Sequence, residues 1–150
     1  MKILFVCTGN TCRSCMAEAI FNHLNDNKDV SVSSAGITVI EGSKVSHNAA
    51  AVIKSKLGID LMGKKAVQVN KDMIMDADII LTMTNHIKGV ALSYFPEIKE
   101  KVFTLDEYLG VEGRIIDPFG KDMSVYKETY DQLYELIQAL INKLKKDRGI

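Results

Sequence analysis

Four short apolar runs recur along the chain and predict the strands of a sheet. Residues 2–7 are apolar and partly β-branched, which is typical of a strand buried in a parallel sheet. Residues 77–83 show the same pattern and are expected to form a central strand, and residues 30–34 and 101–104 are shorter candidates. The chain is therefore predicted to contain a four-stranded, mainly parallel sheet.

Apolar residues spaced by three or four positions predict helices between these strands. Helices are expected after Ser14 and after Asn85, each as a possible N-cap, and from His47, from Asn70 or Lys71 and from Ser124. The last one is predicted to run to about Lys146 and to bury Tyr126, Tyr130, Leu133, Ile137, Leu140 and Leu144. Because strands and helices alternate without a linker, residues 1–150 are predicted to form one α/β domain of three layers, with helices flanking the sheet.

The overall composition is that of a soluble globular protein. Apolar residues make up 47% of the 150 positions and charged residues 25%, so a folded core is expected. Lysine plus arginine equals aspartate plus glutamate at 19 each, and this balance does not favour a nucleic-acid partner. No apolar run is long enough to span a bilayer, and residues 2–7 are too short for a signal-peptide core. We therefore expect a cytoplasmic protein with no membrane or nucleic-acid partner.

All three cysteines, Cys7, Cys12 and Cys15, lie within nine residues. An odd, clustered set does not suit a framework of structural disulfides, which spreads pairs along the chain. The three histidines are far from the cysteines in sequence, so no zinc-binding pattern is present. The cluster therefore indicates reactive thiols.

A thiol and a guanidinium bracket the polar segment that follows the first strand. Open α/β sheets bind ligands at the carboxyl ends of their strands, where backbone N–H groups and a helix N-terminus can surround an anion. Arg13 can hold two phosphate oxygens in a planar fork. The same positive surroundings favour the nucleophilic thiolate form of Cys7. The other predicted phosphate-binding residues lie between Cys7 and Arg13 or directly after Arg13: Thr8, Gly9, Asn10, Thr11, Cys12 and Ser14.

Three of these loop residues have an expected conformational or hydrogen-bonding role. Gly9 permits a backbone angle or a close approach that a side chain would block. Asn10 tolerates left-handed geometry and can tie the loop internally. Ser14 is expected to cap the helix, to hydrogen-bond the thiolate, or to do both. The plain alternative is that Cys7 is a buried strand residue and Arg13 a surface cation.

This segment resembles the signature of the low-molecular-weight protein tyrosine phosphatase family. The resemblance extends to residues 34–36, 77–84 and 101–108 and to Asp117-Pro118. It implies a cysteinyl-phosphate intermediate, no metal or other cofactor, and phosphorylated proteins as substrates. It also implies that Asp117 is the general acid, although Asp-Pro alone is an ordinary turn signal.

The resemblance gives two further residues a role beside Asp117. In the family, such a carboxyl group protonates the leaving group and then activates water. Ser34 resembles the family serine that braces the loop through its asparagine, here Asn10, and the alternative is an ordinary strand or capping role. Phe119 is either a wall beside the entrance or a plain core aromatic residue.

Three features resemble the bacterial protein arginine phosphatase branch, namely Thr11, Phe119-Gly120 and residues 101–108. A phosphoguanidinium group is planar and cationic, so it needs acceptors such as the Thr11 hydroxyl and the Asp117 carboxylate. A larger apolar residue at position 11 favours a phenyl ring instead. We therefore expect phosphoarginine as the substrate, with phosphotyrosine as the alternative.

The chain also departs from the family pattern. Cys15 stands where the family usually has proline, and Lys64 and Lys65 lie where many tyrosine phosphatases have a histidine. Thiol-dependent arsenate reductases share the scaffold but need resolving cysteines downstream, and none follows Cys15. A phosphate sensor without catalysis would not need a nucleophile.

Cys12 has two interpretations. It can form a reversible, redox-sensitive disulfide with Cys7, or it can simply fill the base of the loop. A disulfide between Cys7 and Cys15 is a further alternative. A monomer is expected, although the sequence does not determine the oligomeric state.

Overall fold

The computed structural model describes residues 1–148. Its elements follow in the order β1 (Lys2–Cys7), α1 (Arg13–Leu24), β2 (Ser31–Gly36), α2 (His47–Leu57), α3 (Lys71–Asp76), β3 (Ile79–Thr82), α4 (Asn85–Tyr94), a 3₁₀ turn (Pro96–Ile98), β4 (Val102–Thr104), α5 (Leu105–Leu109) and α6 (Met123–Arg148).

The four strands form one sheet in the order β2-β1-β3-β4, and every pairing is parallel. Cys7 at the end of β1 is level with Gly36 at the end of β2, and Val6 is level with Thr82 at the end of β3. The carboxyl ends of the strands therefore meet at one edge of the sheet. This arrangement confirms the predicted parallel sheet flanked by helices.

The core lies between the sheet and the flanking helices. Five of the six residues of β1 are buried, as a strand covered on both faces should be. Phe5 of β1 packs edge to face against Phe21 of α1, with ring centroids 6.3 Å apart. Helix α6 packs against α1 and α2, and all six of its predicted apolar positions are buried. Each such burial stabilises the fold by roughly 1.5–3 kcal/mol.

Two helix starts and one additional helix differ from the prediction. Thr84, not Asn85, caps α4, because its side chain accepts a hydrogen bond from the Ile87 N–H. Helix α1 begins at Arg13 with Cys12 as its N-cap residue and no side-chain cap, so the capping role expected for Ser14 was wrong. Helix α5 was not predicted, although Thr104 and Glu107 form a capping box that the Thr-Leu-Asp-Glu sequence already contained.

Candidate active site

The loop between β1 and α1 lies at the carboxyl edge of the sheet. Asn10 adopts a left-handed conformation with φ 55°, as its residue type predicted. The N–H groups of Ile37 and Thr38 donate to the carbonyls of Cys7 and Thr8 at 3.0 and 2.9 Å. The start of the loop is therefore held by the chain that leaves β2.

The close-approach glycine of this region is Gly36, not Gly9. A Cβ on Gly36 would lie 2.8 Å from the Thr8 carbonyl oxygen and 2.9 Å from the Gly9 carbonyl carbon, which no side chain can occupy without a shift. A Cβ on Gly9 would lie 3.8 Å from Thr11 Oγ1, an ordinary contact, and Gly9 does not have a positive φ. The special backbone angle expected for Gly9 is not present, and a close approach of the bound phosphate to Gly9, which lines the cavity described below, stays a prediction.

The sulfur of Cys7 has two polar partners within the loop. Ser14 Oγ lies 2.8 Å from it, and the Asn10 N–H donates to it at 3.2 Å. Both contacts stabilise a negative charge on sulfur when the serine hydroxyl is the donor. Cys7 also lines the cavity described below, so it is not a plain buried strand residue.

The Asn10 side chain sets the direction of these hydrogen bonds. Its Nδ2 group donates to Ser14 Oγ at 2.7 Å and to Ser34 Oγ at 3.0 Å, while its Oδ1 accepts from the Val67 N–H at 2.9 Å. Because Ser14 already accepts from Asn10, its own proton is free to point at Cys7. The contact between Ser34 and Asn10 is the one that the family resemblance implied.

The network ends in a half-buried ion pair that the sequence did not reveal. Ser34 Oγ donates to the Glu18 carboxylate at 3.4 Å, and Lys64 Nζ lies 3.9 Å from the same carboxylate. Burial is the largest influence on Glu18 and raises its pKa, while Lys64 and Ser34 act in the opposite direction. Lys64 thus lies beside the network, in the segment where many family members carry a histidine.

Arg13 and Asp117 face each other at the site, with Nη2 and Oδ2 3.4 Å apart. Arg13 is 5% exposed, so it is not a surface cation, whereas the Asp117 side chain is 58% exposed. The Phe119 N–H donates to Asp117 Oδ1 at 3.2 Å and stabilises the turn at Pro118. A fixed guanidinium thus lies beside a carboxyl group that water can reach.

A cavity of about 320 Å³ joins these groups. Phe119 lines it and is 70% exposed, which excludes the alternative of a core aromatic residue. The other predicted site residues that line the cavity are Cys7, Thr8, Gly9, Thr11, Cys12, Arg13 and Asp117. Asn10, Ser14 and Ser34 do not line the cavity, and the hydrogen bonds among them support the loop.

Sequence reasoning missed three residues of the cavity wall: Thr38, Ile40 and Ser43. They follow β2, which runs beside β1, so only the strand order brings them to the site. Ile40 is 76% exposed, and the available signal was an aliphatic residue directly before the polar Glu41 and Gly42, where a loop begins.

The other two thiols differ from Cys7 in their surroundings. The Cys15 thiol donates to the Asn10 carbonyl at 3.0 Å, and burial raises the pKa of Cys15 to about 12. The Cys12 sulfur contacts Ser46 and Tyr126, and all three cysteines are free thiols. A reversible link from Cys7 to Cys12 or Cys15 stays a prediction, and it requires the second sulfur to leave these partners.

The fold and the loop define a class of protein: an α/β domain that presents a thiol in an anion-binding loop at the carboxyl edge of a parallel sheet. The model of the family described as "Low molecular weight phosphotyrosine protein phosphatase" matches residues 2–149. The chain belongs to this family, and it is a cysteine-dependent phosphatase.

The relatives of the chain carry two kinds of name. It is 42% identical over 151 residues to a "Protein-arginine-phosphatase" of Geobacillus stearothermophilus, covering 98% of each chain. It is 39% identical over 140 residues to a "Low molecular weight protein-tyrosine-phosphatase PtpB" of Staphylococcus epidermidis, covering 93% of this chain and 96% of the relative. A solved "YwlE arginine phosphatase" mutant with a phosphorylated active-site serine matches with a TM-score of 0.91 and 39% identity, covering 99% of both chains.

No helix within residues 1–148 is both long and apolar enough to cross a membrane.

Proposed function

We propose that this phosphatase hydrolyses phosphoarginine on proteins and that Cys7 is its nucleophile. The observation that carries the proposal is the meeting of three groups in one cavity: a sulfur held by Ser14 and Asn10, the Arg13 guanidinium, and the Asp117 carboxyl group. The solved mutant with a phosphorylated active-site serine supports a phosphoenzyme intermediate.

In the first step, the phosphoryl group binds between the loop N–H groups and Arg13, which places phosphorus next to Cys7 Sγ. The thiolate attacks, so that a sulfur–phosphorus bond forms and the phosphorus–nitrogen bond of phosphoarginine breaks. Asp117 gives its proton to the departing nitrogen, which then leaves as part of a neutral or cationic guanidine group. Such general acid catalysis contributes roughly 10²–10⁴-fold.

In the second step, water enters on the exposed side of the site, where Asp117 lies. The ionised Asp117 carboxylate accepts a proton from water as the oxygen attacks phosphorus. A phosphorus–oxygen bond forms, the sulfur–phosphorus bond breaks, and inorganic phosphate leaves. Ser14 and Asn10 donate to the sulfur and thereby stabilise it as the thiolate leaving group.

The choice of phosphoarginine depends on acceptors near the phosphate. Thr11 and Asp117 both line the cavity, so each can accept an N–H of the substrate guanidinium group. A site that hydrogen-bonds its substrate discriminates strongly against an analogue that lacks the matching group. The relative named as a protein-arginine-phosphatase, at 42% identity, supports this choice.

Phosphotyrosine is the second candidate because the entrance also has apolar walls. Ile40 and Phe119 are 76% and 70% exposed at the cavity, and a phenyl ring can pack between such side chains. The relative named as a protein-tyrosine-phosphatase, at 39% identity, supports this alternative.

Two peptides that differ only in phosphoarginine or phosphotyrosine test the substrate. We expect kcat/KM to be at least about tenfold higher for phosphoarginine, no phosphate release by Cys7→Ser, and a loss of roughly 10²–10⁴-fold in Asp117→Asn. The reverse preference would select the tyrosine alternative. Retained turnover in Cys7→Ser would contradict the proposed nucleophile.

We further propose that residues 1–150 form a single domain that works as a monomer in the cytoplasm on phosphorylated proteins. Three clustered free thiols, one of them the proposed nucleophile, suit a reducing compartment.

A further inference from the structure

Two residues from distant parts of the chain hold the Thr11–Cys12 part of the catalytic loop. The Ser46 N–H donates to the Thr11 carbonyl at 2.9 Å. The Cys12 thiol donates to Ser46 Oγ at 3.4 Å, and Tyr126 Oη lies 3.2 Å from the Cys12 sulfur. Ser46 is the N-cap of α2, and Tyr126 lies in the first turns of α6.

The direction of the contact between Tyr126 and Cys12 follows from the number of protons available. Cys12 has one thiol proton, which it gives to Ser46. The hydroxyl of Tyr126 is therefore the donor to the Cys12 sulfur. Burial raises the pKa of Tyr126 to about 12, with the Cys12 contact as the next cause, so this hydroxyl keeps its proton at neutral pH.

Both partners of this contact are well fixed. Tyr126 is 3% exposed and Cys12 is 4% exposed, so neither side chain exchanges its partner for water without local opening. Ser46 Oγ also accepts the Ala49 N–H at 3.2 Å as the cap of α2. The Cys12 sulfur is thus held on the side of the loop where α2 and α6 lie.

The position of Cys12 matters because it lies between two residues of the proposed chemistry. Thr11 precedes it and lines the cavity, and Arg13 follows it and binds the phosphate in our proposal. Cys12 is also the N-cap residue of α1, and no side chain caps that helix. A shift of Cys12 would therefore displace the substrate-facing residues on both sides of it.

We propose that Tyr126 is a positioning residue of this phosphatase, which acts through its hydrogen bond to the Cys12 sulfur to hold the Thr11–Arg13 part of the loop in its binding geometry. This inference rests on the proposed catalytic role of the loop. Through Tyr126, helix α6 would influence the turnover rate although its residues lie outside the cavity.

A double-mutant cycle tests the inference with para-nitrophenyl phosphate as substrate, because that probe does not depend on the choice between phosphoarginine and phosphotyrosine. We expect Tyr126→Phe to lower kcat about tenfold, since misplaced catalytic groups weaken transition-state binding more than ground-state binding. Cys12→Ala should cause a similar loss. Cys12→Ser should lose clearly less kcat than Cys12→Ala because its hydroxyl can make both hydrogen bonds.

The cycle distinguishes action through Cys12 from a general loss of stability. In the Cys12→Ala background, Tyr126→Phe should change kcat less than about twofold, because the coupled contact is already absent. An equal loss in both backgrounds, or no loss in either, would overturn the inference. Tyr130→Phe is the control: it removes a tyrosine hydroxyl from another residue on the buried side of the same helix, and no hydrogen bond of that hydroxyl to the loop is found in residues 1–148.

A second measurement does not depend on turnover. In the Cys7→Ser background, iodoacetamide labelling of Cys12 can be followed by peptide mass spectrometry. We expect Tyr126→Phe to accelerate this labelling at least about fivefold and Tyr130→Phe to leave it unchanged, because only the first removes a hydrogen bond to the sulfur. Unchanged labelling would overturn the inference. Inactivity of the wild type on phosphoarginine and on every phosphate ester would contradict the proposed function but not this contact.

Discussion

Asn10 combines a backbone role and a side-chain role in a single residue. It adopts a left-handed φ of 55°, and its N–H donates to the Cys7 sulfur. Its side-chain amide uses both donor hydrogens and its acceptor oxygen on Ser14, Ser34 and the Val67 N–H. A glycine could adopt the same φ but would leave Ser14 and Ser34 without the amide that sets the direction of their protons.

Thr11 is the residue at which substrate preference can be changed. Thr11→Ile replaces a hydroxyl that can accept an N–H of the substrate by an aliphatic group that suits a phenyl ring. We expect the ratio of phosphoarginine to aryl-phosphate kcat/KM to fall about tenfold or more, because an unmatched polar substrate group costs binding free energy.

The control for this substitution is Thr38→Val, which removes a different threonine hydroxyl from the cavity wall. It should change the ratio by less than about threefold. An unchanged ratio in Thr11→Ile would assign the discrimination to another part of the cavity.

At the scale of elements, the site depends on how the end of β2 meets the loop after β1. The periodicity of the sequence predicted both strands and the loop because their residues are adjacent in sequence. It could not predict that Thr38, Ile40 and Ser43 would line the cavity, because that requires the pairing of β2 with β1. The contact of Lys64 with Glu18, and of Glu18 with Ser34, likewise joins segments that only the folded chain brings together.

Gly36 is the point of closest approach between these elements, and Gly36→Ala tests it. The added methyl group would lie 2.8 Å from the Thr8 carbonyl oxygen and 2.9 Å from the Gly9 carbonyl carbon. Because backbone atoms cannot move aside as a side-chain tip can, we expect a loss of about 1–3 kcal/mol in unfolding free energy. Turnover should also fall at saturating substrate, because Thr8 and Gly9 belong to the loop.

Gly89→Ala is the matched control, since Gly89 lies inside α4, lacks a positive φ, and has open space where its Cβ would be. It should raise the unfolding free energy by about 0.5–1 kcal/mol without changing turnover. Urea unfolding of both variants gives the comparison. A Gly36→Ala variant as stable and as active as the wild type would show that the loop can move away from β2 at no cost.

At the scale of the whole molecule, the site is assembled from residues that span most of the chain, from Cys7 at the end of β1 to Tyr126 in α6. The strand order β2-β1-β3-β4 places β1 inside the sheet, so its loop is supported from several sides. The amphipathic pattern of α6 predicted its buried face, including Tyr126. That pattern could not distinguish a tyrosine that only fills the core from one that donates to Cys12, because the partner is 114 residues away.

If an anion binds only to the assembled loop, then that anion must stabilise the whole fold. The unfolded chain does not bring Arg13 and the loop N–H groups together, so inorganic phosphate should bind the folded state alone. At about 100 times its Kd, such a ligand adds roughly 2.7 kcal/mol, which for a chain of this size corresponds to a Tm increase of about 5–10 °C.

Arg13→Lys keeps the positive charge but loses the planar fork, so its Tm increase with phosphate should be less than half that of the wild type. Chloride at equal ionic strength is the control for screening, because it changes all surface charge interactions without fitting the loop. Differential scanning calorimetry of both proteins in both salts measures the effect. Equal increases in the two proteins, or in the two salts, would mean that phosphate acts on the surface as a whole, and the anion site between Arg13 and the loop would then have to be abandoned.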